Sequence, residues 1–421
     1  MLPPRFRRPN GFEDTLPADA WKWHTVERIA RETAELYRFF EIRTPVLEQT
    51  ALFHRGVGEG SDIIRKETFT FDDRGGDSMT LRPEGTAGVV RAMIEHGFLN
   101  DQGARAKVYY IAPNFRYERP QKGRLRQHHQ FGAEAFGIPD ADQDVECIQL
   151  QMDFYRRCGL HDFTLRINSL GDAESKARFR DAIREHLSPH ASELSEDSQR
   201  RLETNPLRIL DSKDPRDQSL IDKVAFSLRY LSAKSESHLD RVQKLLDAAA
   251  VNYFVDSKLV RGFDYYTETL WEVTAGGLGA QNAIGGGGRY DNLVEQLGGR
   301  PTPGVGFGSG LERLLIALDA QGVQLPHVAK PLIWLAYHGE AAKLAQIKLM
   351  QELRAAGFAA DMDLAGRSIK AQFKLSDREK AAVVVIVGES ELANGTVMLK
   401  NLATGEQSAV ARADLLYKLP R

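Results

Sequence analysis

The fold of this chain is decided by the segment Phe115-Arg116-Tyr117-Glu118-Arg119-Pro120-Gln121-Lys122-Gly123-Arg124-Leu125-Arg126-Gln127-His128-His129-Gln130-Phe131-Gly132-Ala133-Glu134. The aromatic and β-branched run Val108–Ile111 that precedes it is typical of a strand. Pro120 and Gly123 interrupt the segment, so we expect a loop there and a second strand after it. The segment therefore predicts a β-hairpin.

The predicted hairpin has a charged loop and one polar face. Residues 116–126 contain five Arg or Lys and one Glu. Side chains alternate along a strand, so Gln130, Gly132 and Glu134 share a face. A glycine between two polar residues leaves room for a ligand. We therefore favour a binding site over the alternative, a solvated basic hairpin.

Length and composition indicate a soluble globular protein of two or three domains. The chain has 421 residues, of which 42% are apolar and 27% charged. Its formal net charge of −2 excludes a global attraction to nucleic acid. Any polyanionic partner must therefore be bound by local basic patches such as the loop 116–126.

The sequence contains no signal for export or for a membrane. Met1–Arg8 is basic, but no apolar segment follows it, so it does not resemble a secretory leader. No apolar run approaches the roughly 20 residues that span a bilayer. Cys147 and Cys158 lack metal-type spacing, and we expect reduced thiols in a cytoplasmic protein.

The first part of the chain predicts a helix, an edge strand and a second hairpin. Apolar residues recur at helical spacing from Ala20 to Phe40, and the strand Glu41–Leu47 follows. Pro45 cannot donate to a ladder, which places that strand at an edge or interface. Glu67–Phe71 and Ser78–Arg82 flank a turn. Glu84 and Thr86 come next, at the start of a helix, where ordinary capping is one explanation.

Residues 171–253 predict a helical insertion, since they are charged, have helical periodicity and lack strand signals. Strand-type sequence returns with Val260–Val273. Arg261 and Asp264 in such a strand need partners or a ligand if they are buried. Gly285–Gly288 then allows close backbone approach, without the spacing of a standard phosphate loop.

A glycine-rich strand leads into a helix at Gly304–Leu318. Arg313 lies in the first turn of this helix, where the helix dipole favours an anion over a cation. An external anion therefore explains Arg313 better than helix stability does, and a surface ion pair is the alternative. After a linker at Asp319–Lys330, alternating strands and helices from Pro331 onward predict a compact α/β domain.

Taken together, these motifs resemble the histidyl-tRNA synthetases of bacterial type over essentially the full length. Glu41–Leu47 with its preceding helix is similar to the first class II motif, Phe115–Gly137 to the second and Gly304–Leu318 to the third. Other class II synthetases share these three motifs. Leu259–Tyr266 and Gly286–Asp291 resemble the two motifs that are specific for histidine.

The resemblance implies an α+β fold: a class II antiparallel sheet flanked by helices, with a helical insertion and a C-terminal α/β anticodon-binding domain. It assigns 1–170 to the first part of the catalytic core, 171–253 to an insertion over the acceptor stem, 254–325 to the second part of the core and 330–421 to anticodon binding. It also implies a homodimer.

The implied activity is the ATP-dependent conversion of histidine to histidyl-adenylate, followed by transfer to the 3′ end of tRNA(His). By resemblance, Arg116 and Arg261 flank the α-phosphate as catalytic residues. Arg124 and Arg313 hold the outer phosphates, and Glu118 binds the adenine amino group. Mg²⁺ would be bound through the β- and γ-phosphates, with no metal held by protein side chains.

The resemblance also assigns substrate contacts. The expected histidine-binding residues are Glu84, Thr86, Gln130, Glu134, Arg261, Tyr265, Tyr266 and Tyr290. Glu84, Thr86 and Gln130 would hold the ammonium group, and Glu134 and Tyr266 the imidazole, with Tyr290 nearby. Two ring nitrogens need two partners, which a carboxylate and a phenol supply. The residues expected at the tRNA acceptor end are Arg119, Gln121 and Arg126.

Three alternatives remain at this point. A regulatory subunit of ATP phosphoribosyltransferase shares the catalytic fold, but it lacks the anticodon-binding domain and usually loses catalytic residues, whereas Arg116, Arg261 and Arg313 are present here. The same residues argue against a tRNA-binding or sensor module with a degenerate site. Tyr265-Tyr266 argues against a synthetase for another amino acid. Phe263 departs from the family, where Leu is frequent.

Overall fold

The computed structural model describes residues 6–58, 61, 63–101, 103–212, 214–222, 227–279, 282–327 and 329–420. Met1–Arg5, at the start of the segment considered as a leader, lies outside them. The chain divides into two compact units, Met1–Pro326 and His327–Arg421. Within the described ranges, no helix has both the length and the apolar character needed to cross a membrane.

The first unit combines long helices with a large sheet. Its helices are α1 Pro17–Leu36, α2 Thr50–Val57, α3 Thr86–Glu95, α4 Ala141–Arg157, α5 Ala173–Leu187, α6 Glu196–Thr204, α7 Pro215–Ile221, α8 Ala233–Ala248, α9 Leu293–Gln296 and α10 Leu311–Ala320. Its strands are β1 Phe40–Glu41, β2 Leu47–Gln49, β3 Phe69–Asp72, β4 Ser78–Leu81, β5 Ala106–Phe115, β6 Gln127–Phe136, β7 Phe163–Ser169, β8 Phe254–Val255, β9 Thr267–Ala275, β10 Ala283–Arg289 and β11 Gly304–Gly310.

The large sheet is antiparallel at its centre. Over the described residues its strand order is β1-β5-β6-β11-β10-β9-β7-β8. Among the described strands of this sheet, the outer pairs β1–β5 and β7–β8 are parallel and the others antiparallel. The predicted hairpin is confirmed as β5 and β6, which pair from Ala106 opposite Phe136 to Phe115 opposite Gln127. The predicted class II fold of an antiparallel sheet flanked by helices is likewise confirmed.

Helices cover both faces of this sheet. On one face, side chains of α1, α4, α8 and α10 pack against Phe131, Trp271 and Phe307. On the other face, side chains of α3, α5 and α9 pack with Tyr110 and Tyr290. Both cysteines are buried and unpaired. The sheet is therefore the middle of three layers, and polar side chains on its second face are shielded from water.

A buried ion pair connects the centre of the sheet to α4. Asp144 and Arg289 are both fully buried and form an ion pair. Thr269 Oγ1 donates a hydrogen bond of 2.6 Å to Asp144, and Nε2 of His238 lies 2.7 Å from the same carboxylate. Removing one member of such a pair leaves an uncompensated buried charge. The network therefore fixes the end of β10 relative to α4 and α8.

Two predicted strands are shorter than the sequence indicated. Glu41–Leu47 is divided between β1 and β2, which belong to different sheets, and Pro45 lies in the break between them. The predicted strand Val260–Val273 becomes regular only at Thr267. Glu268 has a φ of 42°, and the pairing with β10 shifts register nearby. The residues before β9 therefore form an irregular loop, which we call the 259–266 loop.

The second unit is a smaller α/β domain. Its strands are β12 Leu332–Tyr337, β13 Ala359–Met362, β14 Val383–Val387, β15 Thr396–Asn401 and β16 Gln407–Ala411, and its helices are α11 Glu340–Ala355, α12 Ile369–Arg378, α13 Glu389–Asn394 and α14 Leu415–Lys418. Its strand order is β13-β12-β14-β15-β16. The first three strands are parallel, and β15 and β16 form an antiparallel hairpin at one side.

Candidate active site

Two adjoining cavities lie over the central strands β6, β10 and β11 of the large sheet. The first, of about 210 Å³, is lined by the predicted residues Glu84, Thr86, Gln130, Arg261, Tyr265, Tyr266 and Tyr290. The second, of about 240 Å³, is lined by Arg116, Glu118, Arg124, Arg261 and Arg313. Arg116, Gln130 and Arg261 line both. The hairpin, the 259–266 loop and the start of α10 thus bring the predicted residues together.

Glu134 is not among the residues that line the smaller cavity, but it lies directly beside it, hydrogen-bonded to two residues that do, Thr86 and Tyr290. Its carboxyl group is almost fully buried and accepts hydrogen bonds from the hydroxyls of Tyr290 and of Thr86, the latter at 2.7 Å. Burial raises its pKa from 4.5 to about 8, although these hydrogen bonds act in the opposite direction. Gly306 lies opposite Glu134 on β11, where a Cβ atom would overlap the carboxyl group. The glycine is therefore required for the carboxyl group to fit.

Glu84 and Thr86 lie where the chain enters α3. The carboxylate of Glu84 accepts backbone N–H groups of Thr86 at 2.6 Å and Ala87 at 2.8 Å. Glu84 thus caps the helix, which was one explanation offered for it from the sequence. The same contacts fix its buried carboxylate at the edge of the cavity. On the neighbouring strand, Gln130 accepts a hydrogen bond of 2.7 Å from Asn114.

Aromatic side chains of the 259–266 loop form one wall. The rings of Phe263 and Tyr265 are stacked, with centroids 5.1 Å apart, and Tyr265 meets Tyr290 edge to face at 5.7 Å. Arg116 lies over the ring of Phe263 at 5.5 Å. Phe263, where the family frequently has Leu, thus contributes an aromatic surface beside the cation of Arg116.

Cationic side chains dominate the larger cavity, and three of them are anchored to the protein. Arg116 Nε donates to the carbonyl of Pro83 at 2.8 Å, Arg313 Nε to that of Gly123 at 2.7 Å, and Arg261 Nη1 to Glu272 at 2.8 Å. Burial lowers the pKa of Arg116, and the positive charge of Arg261 acts in the same direction.

Arg261 retains an unused donor. Its Nε is buried, and no acceptor in the described part of the chain is hydrogen-bonded to it. Burying an N–H group of a charged side chain without a hydrogen-bond partner costs free energy. A ligand that supplies the acceptor would remove that cost. The arrangement of Arg116, Arg261 and Arg313 around one cavity therefore suits a phosphate-bearing anion.

The hairpin loop also positions the residues expected at the acceptor end. Arg119 and Gln121 are exposed, next to a tight turn in which Gln121 and Arg124 exchange backbone hydrogen bonds. Arg126 lies over the ring of Tyr117 at 3.7 Å, so its guanidinium is already stacked on protein. Glu118 forms an ion pair with Arg124.

The sequence did not identify every residue at the cavities as a candidate. Tyr110, Asn114, His128 and Glu272 are examples. Tyr110 fills the space beside Gly132 that the sequence suggested for a ligand, since a Cβ atom on Gly132 would overlap its ring. The two residues face each other on β5 and β6, so extending the predicted hairpin register would have found this contact. Glu272 supplies the partner that a buried Arg261 was expected to need.

Comparisons with known proteins found similar proteins over nearly the whole chain. A family model described as histidyl-tRNA synthetase matches residues 11–314, and one described as an anticodon binding domain matches 333–421. The histidine–tRNA ligase of Thermosynechococcus vestitus is 47% identical over 97% of this chain and 95% of its own length. That of Moorella thermoacetica is 48% identical over 96% of each chain. The solved apo histidyl-tRNA synthetase of S. aureus aligns with a TM-score of 0.83 and 35% identity, covering 98% of this chain and 99% of that one.

The raised pKa of Glu134 predicts a pH-dependent stability. The unfolded carboxyl titrates near 4.5 and the folded one near 8. Its contribution is therefore complete below pH 4.5 and is lost as the pH rises through 8. Glu134→Gln removes this titration. We therefore expect the melting temperature of the variant minus that of the parent chain to be larger at pH 8.5 than at pH 5.

The measurement is thermal unfolding of both proteins by circular dichroism at the two pH values. Glu174→Gln is the matched control, because the side chain of Glu174 is 73% exposed. The difference between Glu174→Gln and the parent should change little with pH. If the melting-temperature difference between Glu134→Gln and the parent is the same at both pH values, the pKa of Glu134 is not raised in the folded chain.

Proposed function

This chain belongs to the histidyl-tRNA synthetase family and catalyses histidine–tRNA ligation, and from that premise we propose that the two adjoining cavities bind histidine and ATP. The observation that carries the proposal is the position of Arg116 and Arg261, which line both cavities. Activation requires the amino-acid carboxylate to meet the α-phosphate, and these two cations lie where the cavities join. The smaller cavity receives histidine and the larger one ATP.

In this proposal the histidine side chain enters between Glu134 and Tyr266. The buried carboxyl group and the phenol provide hydrogen-bond partners for the two ring nitrogens, and Tyr290 holds Glu134 in place. A side chain without such nitrogens could not form these hydrogen bonds in the buried pocket, which is the basis of strong rejection. Glu84 provides a buried anion for the substrate ammonium, with Thr86 and Gln130 beside it.

The proposed activation step is an in-line displacement at the α-phosphate of ATP. An oxygen of the histidine carboxylate forms a bond to the phosphorus, and the bond to the bridging oxygen breaks, so that its electron pair leaves with pyrophosphate. Negative charge on the transferring group is stabilised by the fixed cations of Arg116 and Arg261. Arg124 and Arg313 bind the outer phosphates and Glu118 binds the adenine amino group; Mg²⁺ carried by the nucleotide would add positive charge at those phosphates.

Transfer to tRNA follows in the same site. The terminal ribose hydroxyl of tRNA(His) attacks the carbonyl carbon of the adenylate, and AMP leaves. We assign Arg119, Gln121 and Arg126 to the acceptor end, because the first two are exposed beside the ATP cavity on a basic loop. The insertion 171–253 is assigned to the acceptor stem and the domain 330–421 to the anticodon.

We also propose that the active form is a cytoplasmic homodimer. The support is the exposed apolar surface at the end of α1 and at β1, where Leu36 and Phe40 are 62% and 65% exposed. The edge strand β1 is the segment that resembles the first class II motif. The mass in solution measured by light scattering decides between monomer and dimer.

The amino-acid specificity is tested by pyrophosphate exchange into ATP with each of the twenty amino acids. We expect exchange with histidine alone, because only an imidazole meets both Glu134 and Tyr266. Exchange with a different amino acid, or none from folded protein, would disprove the assignment of the cavities.

Arg261→Ala should slow adenylate formation far more than it weakens ATP binding. Loss of one preorganised hydrogen-bond donor to the charge that develops in the transition state typically lowers the rate by a factor of about 10²–10³. Single-turnover rates and the KM for ATP separate the two effects. Arg241→Ala, which removes an exposed ion pair with Asp142, is the control. If only the KM for ATP rose, Arg261 would contribute to ATP binding and not to the rate of adenylate formation.

Gln121→Ala should reduce the preference for tRNA that carries the extra 5′ guanosine by about tenfold, since one base contact contributes roughly 1–3 kcal/mol. The measurement is kcat/KM for charging two transcripts, with and without that guanosine. Gln407→Ala changes an exposed glutamine in the other unit and should leave the ratio unaltered. An unaltered ratio for Gln121→Ala would move the recognition elsewhere.

A further inference from the structure

Lys176, near the start of α5, directs its ammonium group into the protein. Nζ donates hydrogen bonds to the backbone carbonyls of Asp264 at 3.0 Å and Tyr266 at 2.9 Å. Both acceptors belong to the 259–266 loop, and they flank Tyr265. An amine of α5, within the insertion 171–253, thus holds the backbone on either side of a residue that lines the smaller cavity.

Helix stability does not explain this lysine. A cation near the N-terminal end of a helix opposes the helix dipole. Burial lowers the pKa of Lys176 to about 8, while Asp264 raises it and Arg180 lowers it further. The lysine is therefore unfavourable where it lies unless its two hydrogen bonds have structural value.

The 259–266 loop needs such donors. It has no regular secondary structure, so its carbonyl groups must find partners outside a sheet ladder. Asn168 Nδ2 donates to the carbonyl of Leu259 at 2.8 Å, at the start of the loop. Asn205 Nδ2 donates to Oδ1 of Asp264 at 2.7 Å. Lys176 and Asn205, both within the insertion, therefore converge on Asp264.

We propose that Lys176 is a positioning residue for histidine binding, which holds Tyr265 and Tyr266 in place so that the insertion completes the histidine pocket. The inference rests on the proposed function, because it requires the smaller cavity to be the histidine site. Two charge-assisted hydrogen bonds restrict the loop to one arrangement. Without them only a fraction of molecules holds the binding-competent loop, and the apparent affinity for histidine falls by that fraction.

The effect should be selective for histidine. Arg261, at the other end of the loop, is held by Glu272 on β9, and Arg116 and Arg313 are held by carbonyls outside the loop. Loss of the Lys176 contacts therefore leaves the cations of the ATP cavity anchored. We expect Lys176→Met to raise the KM for histidine by about tenfold or more, which corresponds to one charged hydrogen bond, with the KM for ATP changed less than twofold.

The experiment is pyrophosphate exchange with the full-length chain, in which histidine and ATP are varied separately. Lys244→Met is the matched control, because Lys244 also belongs to the insertion but is 68% exposed and pairs with Asp240. It should keep both KM values. Folding is checked by circular dichroism. If Lys176→Met does not fold, Asn205→Ala is measured in its place, since it removes the second contact to Asp264 and should raise only the KM for histidine.

The outcomes separate the two proposals. If the parent chain does not exchange with histidine, the proposed function fails. If the parent and Lys244→Met exchange normally and the folded Lys176→Met keeps the parent KM for histidine, the positioning role is overturned. An equal rise of both KM values also overturns it, because a general loss of structure would affect both substrates.

Discussion

The buried carboxyl group of Glu134 imposes the main constraint on the candidate site. It lies inside the sheet, where a polar group must be hydrogen-bonded to be tolerated. Its partners come from the start of α3, through Thr86, and from the end of β10, through Tyr290. Gly306 opposite it provides the necessary space. Satisfying one buried group thus brings together segments that are some 200 residues apart in the chain.

The position of Tyr290 depends in turn on the residue before it. Arg289 is fully buried against Asp144, and it also donates to the carbonyls of Ile138 and Asp140 at 3.0 Å each. A buried ion pair contributes little net stability, but it strongly disfavours arrangements in which either charge is unpaired. The motif Gly286–Asp291 therefore has two structural roles. Its arginine anchors the end of β10 in the core, and its tyrosine orients the carboxyl group of Glu134.

Local sequence patterns predict elements whose local signals agree, but they do not predict the contacts between distant segments. The hairpin β5–β6 was predictable, because strand propensity, the turn residues and the period of two all agree. The sequence of the 259–266 loop favours a strand, because β-branched and aromatic residues favour a strand unless tertiary contacts override them. Those contacts come from Lys176 and Asn205, which are distant in sequence and belong to no motif. The candidate site residues came from motif resemblance, and the structure gathers the histidine and ATP sets around two cavities.

The cluster of arginines shows why this site is preorganised for an anion. Arg116, Arg261 and Arg313 line one cavity, and among them Arg261 has a carboxylate partner at 2.8 Å, Glu272. Burial lowers the pKa of Arg313, and the neighbouring Arg124 and Arg116 act in the same direction, so the folded chain tolerates mutual repulsion. The carbonyls of Pro83 and Gly123 fix Arg116 and Arg313 without neutralising them. The free-energy cost of bringing the cations together is therefore incurred during folding, and a bound polyanion would relieve their repulsion without any reorganisation of the site.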